Sequence, residues 1–342
     1  VDFNNVRRYE NDNNKRGLVF DVNSLYPFIM KSRLLPVGNG VFKRTPYKEQ
    51  NDLYKACYPL YVQEIFISDM KLKEGKVAFV QVKDRSDFNG REVIEENINT
   101  LGEKVEIRLL LCNPLLELLF ENYDVTGYEL GSHIAYRGKK HLFDNYLDFW
   151  GEVKKTSTGC NRAISKLRQN ALYGKFGTSC DGELITITSD NGKWTVINNH
   201  VNYVTDNIYL PMATFITSYA KQYLVQGINA NRERFLYCDT DSLHLFGDLN
   251  QVQGLFIDSK VYGAWKHELT FNDFKYLGPK RYAEKDVESG KWKICCCGLT
   301  SEIMNSIDDI EVFDICPHTP KEINKMKMYA NKVDNYYYYD KE

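Results

Sequence analysis

The sequence predicts an α+β chain, with strands arranged in hairpins and separate helices, and four stretches predict it. Arg234–Phe246 reads RFLYCDTDSLHLF, two short apolar runs around Asp-Thr-Asp-Ser, the pattern of two buried strands joined by a tight turn. Residues 182–205 contain GELITITSDNGKWTVIN, a second hairpin with Asp190-Asn191-Gly192 as its turn. Asn161–Tyr173 is rich in helix formers, and Tyr209–Val225 has the composition of a core helix.

Composition narrows the classes. At 342 residues the chain holds either more than one core or one core with insertions. Its formal net charge of −2 excludes a wholly basic nucleic-acid binder, so any such footprint is local. No stretch is apolar for long enough to read as a membrane span. The richest, LLLCNPLLELLF from Leu109 to Phe120, is interrupted by Asn113, Pro114 and Glu117. It predicts a strand end and then a helix with Asn113 as N-cap and Pro114 in the first turn. No signal peptide is legible. Nine cysteines lack metal-ligand spacing, and Cys295-Cys296-Cys297 is poorly placed to chelate from one extended strand. They read as reduced thiols in a cytoplasmic setting.

Taken in order, residues 1–16 are polar and Asn-rich, and GLVF predicts a buried strand from Gly17 to Phe20 ending at Asp21. DVNSLYPFIM follows. Asp21 at the mouth of a buried strand suits a metal and phosphate site, and Asp21 or Asn23 as a helix N-cap is the plainer alternative. Pro27 is compatible with a first helical turn. Residues 57–83 alternate as strand or hairpin material, in CYPLYVQEIFISDM and KVAFVQVK. Between Asp84 and about Lys140 the pattern weakens, glycines 90, 102, 127 and 131 punctuate short strands, and a smaller inserted subdomain is expected. FKYLGPKRYAE reads as a strand with Lys280 and Tyr282 on one side, an edge strand being the alternative. The tail from Thr319 carries several lysines, and the closing YYYYDKE is low-complexity.

Two features carry chemistry. Asp239 and Asp241 are separated only by Thr240 at the tip of the 234–246 hairpin. Like charges so close are costly unless a cation sits among them, while an ordinary Asp-rich surface turn is the alternative. Between Lys154 and Lys175 lie Lys154, Lys155, Arg162, Lys166, Arg168 and Lys175 and no acid. Arg162, Lys166, Asn170 and Tyr173 fall on one helix face. Such a face suits a nucleotide, with cations for phosphates, a ring for the base and Gly174 for close approach. A solvated basic face is the alternative.

DVNSLYP, KLRQNALYG and YCDTDS, followed by KRY, stand in this order and together resemble the polymerase motifs of family B DNA polymerases, the protein-primed subgroup in particular. SRLLPVG, YGKF, PMATFIT and CGLT extend the likeness over most of the chain. The resemblance implies a right-hand polymerase fold with palm, fingers and small thumb and two inserted subdomains. Its implied boundaries are 1–83 palm, 84–142 first insertion, 143–180 fingers, 181–208 second insertion, 209–300 palm again, and 301–342 thumb and tail. In the family the first insertion embraces DNA or the priming protein, and the second encloses the duplex for processivity and strand displacement. By position, Asp21 and Asp241 would be the carboxylate ligands of two Mg²⁺ ions, with the Val22 carbonyl added and Asp239 close by; Mn²⁺ is the plausible substitute. The ions of such a site stand ~3.5–4 Å apart, one at the primer 3′-hydroxyl and one at the triphosphate. Lys154, Arg162 and Lys166 would grip the triphosphate, Lys166 also being the candidate proton donor to pyrophosphate. Asn170, Tyr173 and Gly174 would line the nascent base pair, and Tyr26 would lie under the sugar and exclude a 2′-hydroxyl. Ser24, Lys221, Tyr237, Lys280 and Tyr282 would lie on the primer or template. Implied partners are primed DNA and deoxynucleoside triphosphates, with room for a terminal priming protein and a separate exonuclease chain, and no membrane.

Departures accompany the likeness. Few residues precede Asp21, so the family's 3′–5′ exonuclease domain and its Tyr-x-Gly-Gly linker are expected to be missing, and Val1 reads as the start of a fragment or processed product. Lys221 stands where an Arg is usual and keeps the charge without the bidentate fork. Arg162 stands for Lys, and Ala171 for Ser. A non-catalytic DNA- or priming-protein-binding subunit of polymerase shape is the competing expectation, and RNA synthesis or reverse transcription shares the same palm chemistry.

Overall fold

The structure, a computed structural model, describes residues 7–9, 16–82, 87–88, 93–178, 181–190, 193–202, 208–278, 280–296 and 304. In chain order its elements are β1 (Arg7–Tyr9), β2 (Gly17–Val22), α1 (Leu25–Ser32), β3 (Leu35–Lys43), α2 (Asp52–Cys57), β4 (Leu60–Leu72), β5 (Ile107–Cys112), α3 (Asn113–Asn122), β6 (Tyr123–Lys139), α4 (Asp144–Thr156), α5 (Gly159–Phe176), β7 (Asp181–Asp190), β8 (Lys193–Asn202), α6 (Leu210–Ala230), β9 (Phe235–Asp239), β10 (Ser242–Phe246), β11 (Trp265–Gly278), β12 (Arg281–Asp286) and β13 (Trp292–Cys296). The chain divides into two compact units, one of residues 1–23 and 230–342 and the other of residues 24–229. The CGLT block and nearly all of the expected thumb and tail lie outside the described residues, as does the Asn191-Gly192 turn between β7 and β8.

The first unit is built on an antiparallel sheet in the order β13-β12-β11-β2-β10-β9, with β1 on the same edge of β11 as β2. β2 has neighbours on both sides and is buried from Gly17 to Phe20, which is why it reads as a continuous apolar run. Gly17 is required by packing, because a Cβ there would overlap the Phe271 ring. Val19, Tyr237, Leu269, Phe271, Phe274 and Tyr276 form the core on this sheet.

The second unit holds the sheet β3-β6-β4-β5 and the helices. The expected short strands of 84–142 differ from what forms. β6 is one strand of 17 residues that pairs with both β3 and β4, so this region completes a sheet begun by earlier residues. Gly127 and Gly131 lie inside β6 at shifts of register against β4. A Cβ would stand 2.5 Å from Ser68 Oγ at the first and 2.6 Å from Glu64 Oε2 at the second. These glycines mark bulges rather than strand ends. Residues 76–82 form no regular strand. The backbone N–H groups of Phe79 and Val80 donate to the Tyr123 hydroxyl at 3.0 and 3.3 Å, and that hydroxyl donates to the Ile94 carbonyl. One buried phenol thus replaces part of a ladder. At α3 the N-cap is Cys112, not Asn113, whose Oδ1 accepts the Tyr61 N–H at 3.3 Å instead. No helix among the described residues is long and apolar enough to cross a membrane.

Gly17→Ala is expected to cost about 1–3 kcal/mol through overpacking against Phe271, read from denaturant midpoints. Burial pushes the Tyr123 phenol up to about 12 from its ordinary 10.0. A folded-state value above the unfolded one gives stability that is intact below about pH 10 and lost as pH rises towards 12. Unfolding free energies from pH 9 to 12 are expected to fall, and to fall less steeply in Tyr123→Phe, which starts lower by about 1–3 kcal/mol for its unpaired amides.

Candidate functional site

The expected residues gather in two groups, one in each unit. In the first unit the hairpin β9–β10 forms as its alternation requires, with Thr240 and Asp241 as the two-residue tip. Ser242 pairs with Asp239 on one side and with Asp21 on the other, and Asp21 pairs with Lys266. Directly opposed residues of an antiparallel ladder share a face, so Asp239, Ser242, Asp21 and Lys266 form one row across four strands. The Val22 N–H donates to the Asp241 carbonyl at 2.9 Å, which joins the end of β2 to the hairpin tip. Asp21 is therefore not a helix cap; the residue before α1 is Ser24, in a left-handed conformation with no side-chain cap bond.

The tip is strained. The Asp241 N–H returns to the Asp239 carbonyl at 2.6 Å around Thr240 at φ +57°, an i→i+2 turn of the rare hand, and a β-branched residue is unusual there. Side chains brace it. Thr240 Oγ1 donates to Asp239 Oδ1 at 3.0 Å, Ser242 Oγ donates to the Asp239 carbonyl at 3.2 Å, and Lys280 Nζ donates to Asp239 Oδ2 at 2.6 Å. Of the three carboxylates, Asp239 is thus neutralised by a protein cation.

The carboxylates of Asp21 and Asp241 with the Val22 carbonyl are an all-oxygen donor set, which suits Mg²⁺ or Mn²⁺. Among the described residues no group of three or more His, Cys, Asp or Glu is gathered to hold a metal. A hard cation here would draw its remaining ligands from water and substrate, as Mg²⁺ commonly does.

Two expectations in this unit change. Lys280 is not in a strand: β11 ends at Gly278, β12 begins at Arg281, and Lys280 lies in the turn at φ +56°. Tyr237 is 3% exposed. Its hydroxyl accepts the Lys280 N–H at 2.9 Å, and burial pushes its phenol up to about 12. It supports the lysine from inside rather than meeting a primer or template. The Tyr282 ring packs on Tyr237, His244 and Tyr276. Asn23, weighed above as a helix N-cap, instead holds the turn after β2. Its N–H donates to the Ala264 carbonyl, its carbonyl accepts the Gly263 N–H, and its Nδ2 donates to the Asp258 carbonyl at 2.7 Å. A turn-forming Asn after Asp-Val was the available signal, but its partners are far along the chain.

In the second unit α5 buries Ser165 and Gln169 and leaves Arg162, Lys166 and Asn170 exposed. Gln169 Nε2 donates to the Leu147 carbonyl at 3.1 Å and fastens α5 to α4. Arg168 turns away from the expected cationic face and lies 5.6 Å over the Trp150 ring. Arg162 Nη1 donates to the Lys154 carbonyl at 2.7 Å, and Lys154 Nζ donates to Ser24 Oγ at 3.0 Å. The Tyr26 and Tyr173 rings stack 3.9 Å apart. A Cβ at Gly174 would meet nothing within 4 Å, so the surface beside Tyr173 is open to close approach. The start of α1 thus meets the end of α4 through Ser24 and Lys154 and the last turn of α5 through Tyr26 and Tyr173, while Arg162, near the start of α5, is tied to the Lys154 carbonyl. Lys221 does not join them: its Nζ donates to the Phe79 carbonyl at 2.9 Å and lies 5.4 Å from the Phe79 ring.

Comparison with known proteins follows from this geometry. Residues 4–252 match the family described as DNA polymerase type B, organellar and viral. The chain is similar to the DNA polymerase of Bacillus phage Nf, 34% identical over 88% of this chain and 54% of that one. It is also similar to that of Streptococcus phage Cp-1, 30% identical over 84% of this chain and 50% of that one. Phi29 DNA polymerase solved with primer-template DNA and incoming nucleotide substrates superposes with a TM-score of 0.74 at 32% identity, covering 87% of this chain and 54% of that one. The chain spans about half the length of the curated relatives it matches.

Mg²⁺ without any nucleotide is expected to raise the unfolding midpoint, by about 1.4 kcal/mol at ten times its Kd. Asp21→Asn and Asp241→Asn should each remove that gain in a thermal-shift titration.

Proposed function

The chain belongs to the organellar and viral type B DNA polymerases and has their right-hand polymerase fold, and from that premise we propose that it is the polymerising part of a template-directed DNA polymerase. It adds deoxynucleotides to a primer 3′-hydroxyl, with release of pyrophosphate. The observation that supports this reading is the pairing of Asp21 with Ser242 beside the 239–241 turn, two short motifs distant in sequence placed on adjacent strands.

Phosphoryl transfer asks a protein mainly for positioning and for neutralisation of phosphate charge. In this reading Asp21, Asp241 and the Val22 carbonyl hold two Mg²⁺ ions, with Mn²⁺ an acceptable substitute. The bound cations would supply Lewis-acid neutralisation of the triphosphate and a more acidic primer hydroxyl. Lys166, exposed on α5, takes triphosphate oxygens together with Lys154 and Arg162 and donates a proton to the leaving pyrophosphate. Asn170, Tyr173 and Gly174 line the new base pair. Tyr26 lies under the deoxyribose, where its ring leaves no room for a 2′-hydroxyl. Lys280, braced on Asp239, meets the primer strand, and Ser24 and Tyr282 are assigned to the same strand.

The partners proposed are primed DNA and deoxynucleoside triphosphates. A terminal priming protein offering its own hydroxyl and a cytoplasmic setting in the bacterial host complete the proposal. The competing reading of a non-catalytic binding subunit draws no support from relatives that carry the name DNA polymerase.

Extension of a primed template with deoxynucleotides and Mg²⁺ is the test. Asp241→Ala is expected to lower kcat by about three orders of magnitude, ~4 kcal/mol. Tyr26→Val should retain extension while admitting ribonucleotides, measured as the ratio of dATP to ATP incorporation. Full activity in Asp241→Ala would overturn the metal assignment, and deoxynucleotidylation of a candidate priming protein would separate protein priming from priming by nucleic acid.

A further inference from the structure

Behind the carboxylate row lies a polar group that the proposed chemistry does not use. His244 and Glu284 are both 0% exposed. Glu284 Oε1 accepts from the Tyr276 hydroxyl at 2.6 Å and lies 2.5 Å from His244 Nδ1, while the Tyr276 oxygen lies 3.1 Å from the same nitrogen. A carboxylate only accepts, so Nδ1 carries the hydrogen of that bond. The other ends, His244 Nε2 and Glu284 Oε2, are buried with no partner among the described residues.

Stability does not account for this arrangement. A buried polar pair with two unmet atoms costs more than apolar side chains of similar volume, and replacing such pairs by hydrophobic residues is often neutral or stabilising. The location is more informative. His244 lies on β10 two residues from Ser242, and Glu284 lies on β12 four residues from Lys280. β10 and β12 share no ladder, since β2 and β11 come between them in the sheet. The pair is therefore a side-chain tie between the carboxylate hairpin and the strand that follows the lysine turn.

The tie reaches Lys280 through Tyr237. The His244 ring meets Tyr237 edge-on, 5.2 Å between centroids, and Tyr276 stacks on Tyr237 at 5.5 Å. The Tyr237 hydroxyl accepts the N–H of Lys280, which is held at φ +56° while its Nζ grips Asp239. A residue in that backbone region stays there only when its surroundings hold it. The His244 ring that bears on Tyr237 is itself held by Glu284.

We propose that His244 and Glu284 are positioning residues, whose buried bond fixes Tyr237 and through it the Lys280 turn, so that the lysine is presented to the primer strand in one geometry. This rests on the polymerase reading above. Neither residue touches the reacting atoms.

The test is a double-mutant cycle on primer-template affinity, read by fluorescence anisotropy, with KM for primer and for nucleotide measured beside it. The variants are the apolar swap His244→Phe with Glu284→Leu, then Lys280→Ala, then all three changes together. The swap is expected to keep the unfolding midpoint, to weaken primer-template binding about tenfold and to leave the nucleotide KM within about twofold; in the Lys280→Ala background it should add less than about twofold. Tyr237→Phe, which deletes one oxygen and leaves the packing, should move primer affinity in the same direction and carries the test if the swap fails to fold. The inference is overturned if the swap and Tyr237→Phe bind primer as the wild type does. Effects that multiply in full with Lys280→Ala, or a Lys280→Ala of wild-type affinity, overturn it equally. A wild-type chain that neither binds nor extends primed DNA overturns the functional reading and this inference together, whereas the multiplying result in an active enzyme overturns the inference alone.

Discussion

Carboxylates repel, and the first unit is arranged around that repulsion. The ladder between β2 and β10 sets Asp21 beside Ser242, and the Val22 N–H bonds to the Asp241 carbonyl. Three acidic side chains are thus brought to neighbouring strand ends by backbone bonds that the rest of the sheet enforces. One of them, Asp239, is neutralised by Lys280 and braced by Thr240. The other two, Asp21 and Asp241, are the carboxylates to which the proposed function assigns the divalent cations. The ladder is held on both edges of β2, by β10 on one side and β11 on the other, and a one-residue slip would move Asp21 to the opposite face of the sheet from Asp239 and Ser242.

Backbone strain falls on residues of both candidate groups. Among the described residues four that are not glycine have positive φ, and three of them are Ser24, Thr240 and Lys280. Ser24 takes the Lys154 ammonium, Thr240 separates two carboxylates, and Lys280 reaches Asp239. Each conformation costs free energy of order 1–3 kcal/mol and survives because its surroundings over-determine it. For Lys280 those surroundings are the Tyr237 hydroxyl and the aromatic layer with the His244–Glu284 bond inside it. For the turn after Val22 they are the three bonds that Asn23 makes to residues 258–264.

The second unit meets a different demand, that of keeping cations in water while fastening the helix that carries them. α5 does so with a narrow polar contact, Ser165 and Gln169, rather than with an apolar stripe. Arg168 is used on Trp150, and Arg162 and Lys154 are tied to each other and to Ser24. Lys166 and Asn170 stay at the surface.

Local pattern made much of this legible. Alternation around DTD determined the hairpin and its tip, helical spacing determined which face of α5 carries Lys166, Asn170 and Tyr173, and the ordered motifs determined the family. These are properties of neighbours in the chain, where side-chain period and turn chemistry act directly. Only the tertiary structure decided that β2 lies beside β10, that Gly127 and Gly131 are bulges in one long strand, and that Tyr237 faces inward under Lys280. It also decided that Phe79 and Val80 bond to a phenol instead of a strand, and that His244 meets Glu284. Each of these depends on a partner distant in sequence, chosen by burial and register across a sheet, which the composition of a single stretch does not encode.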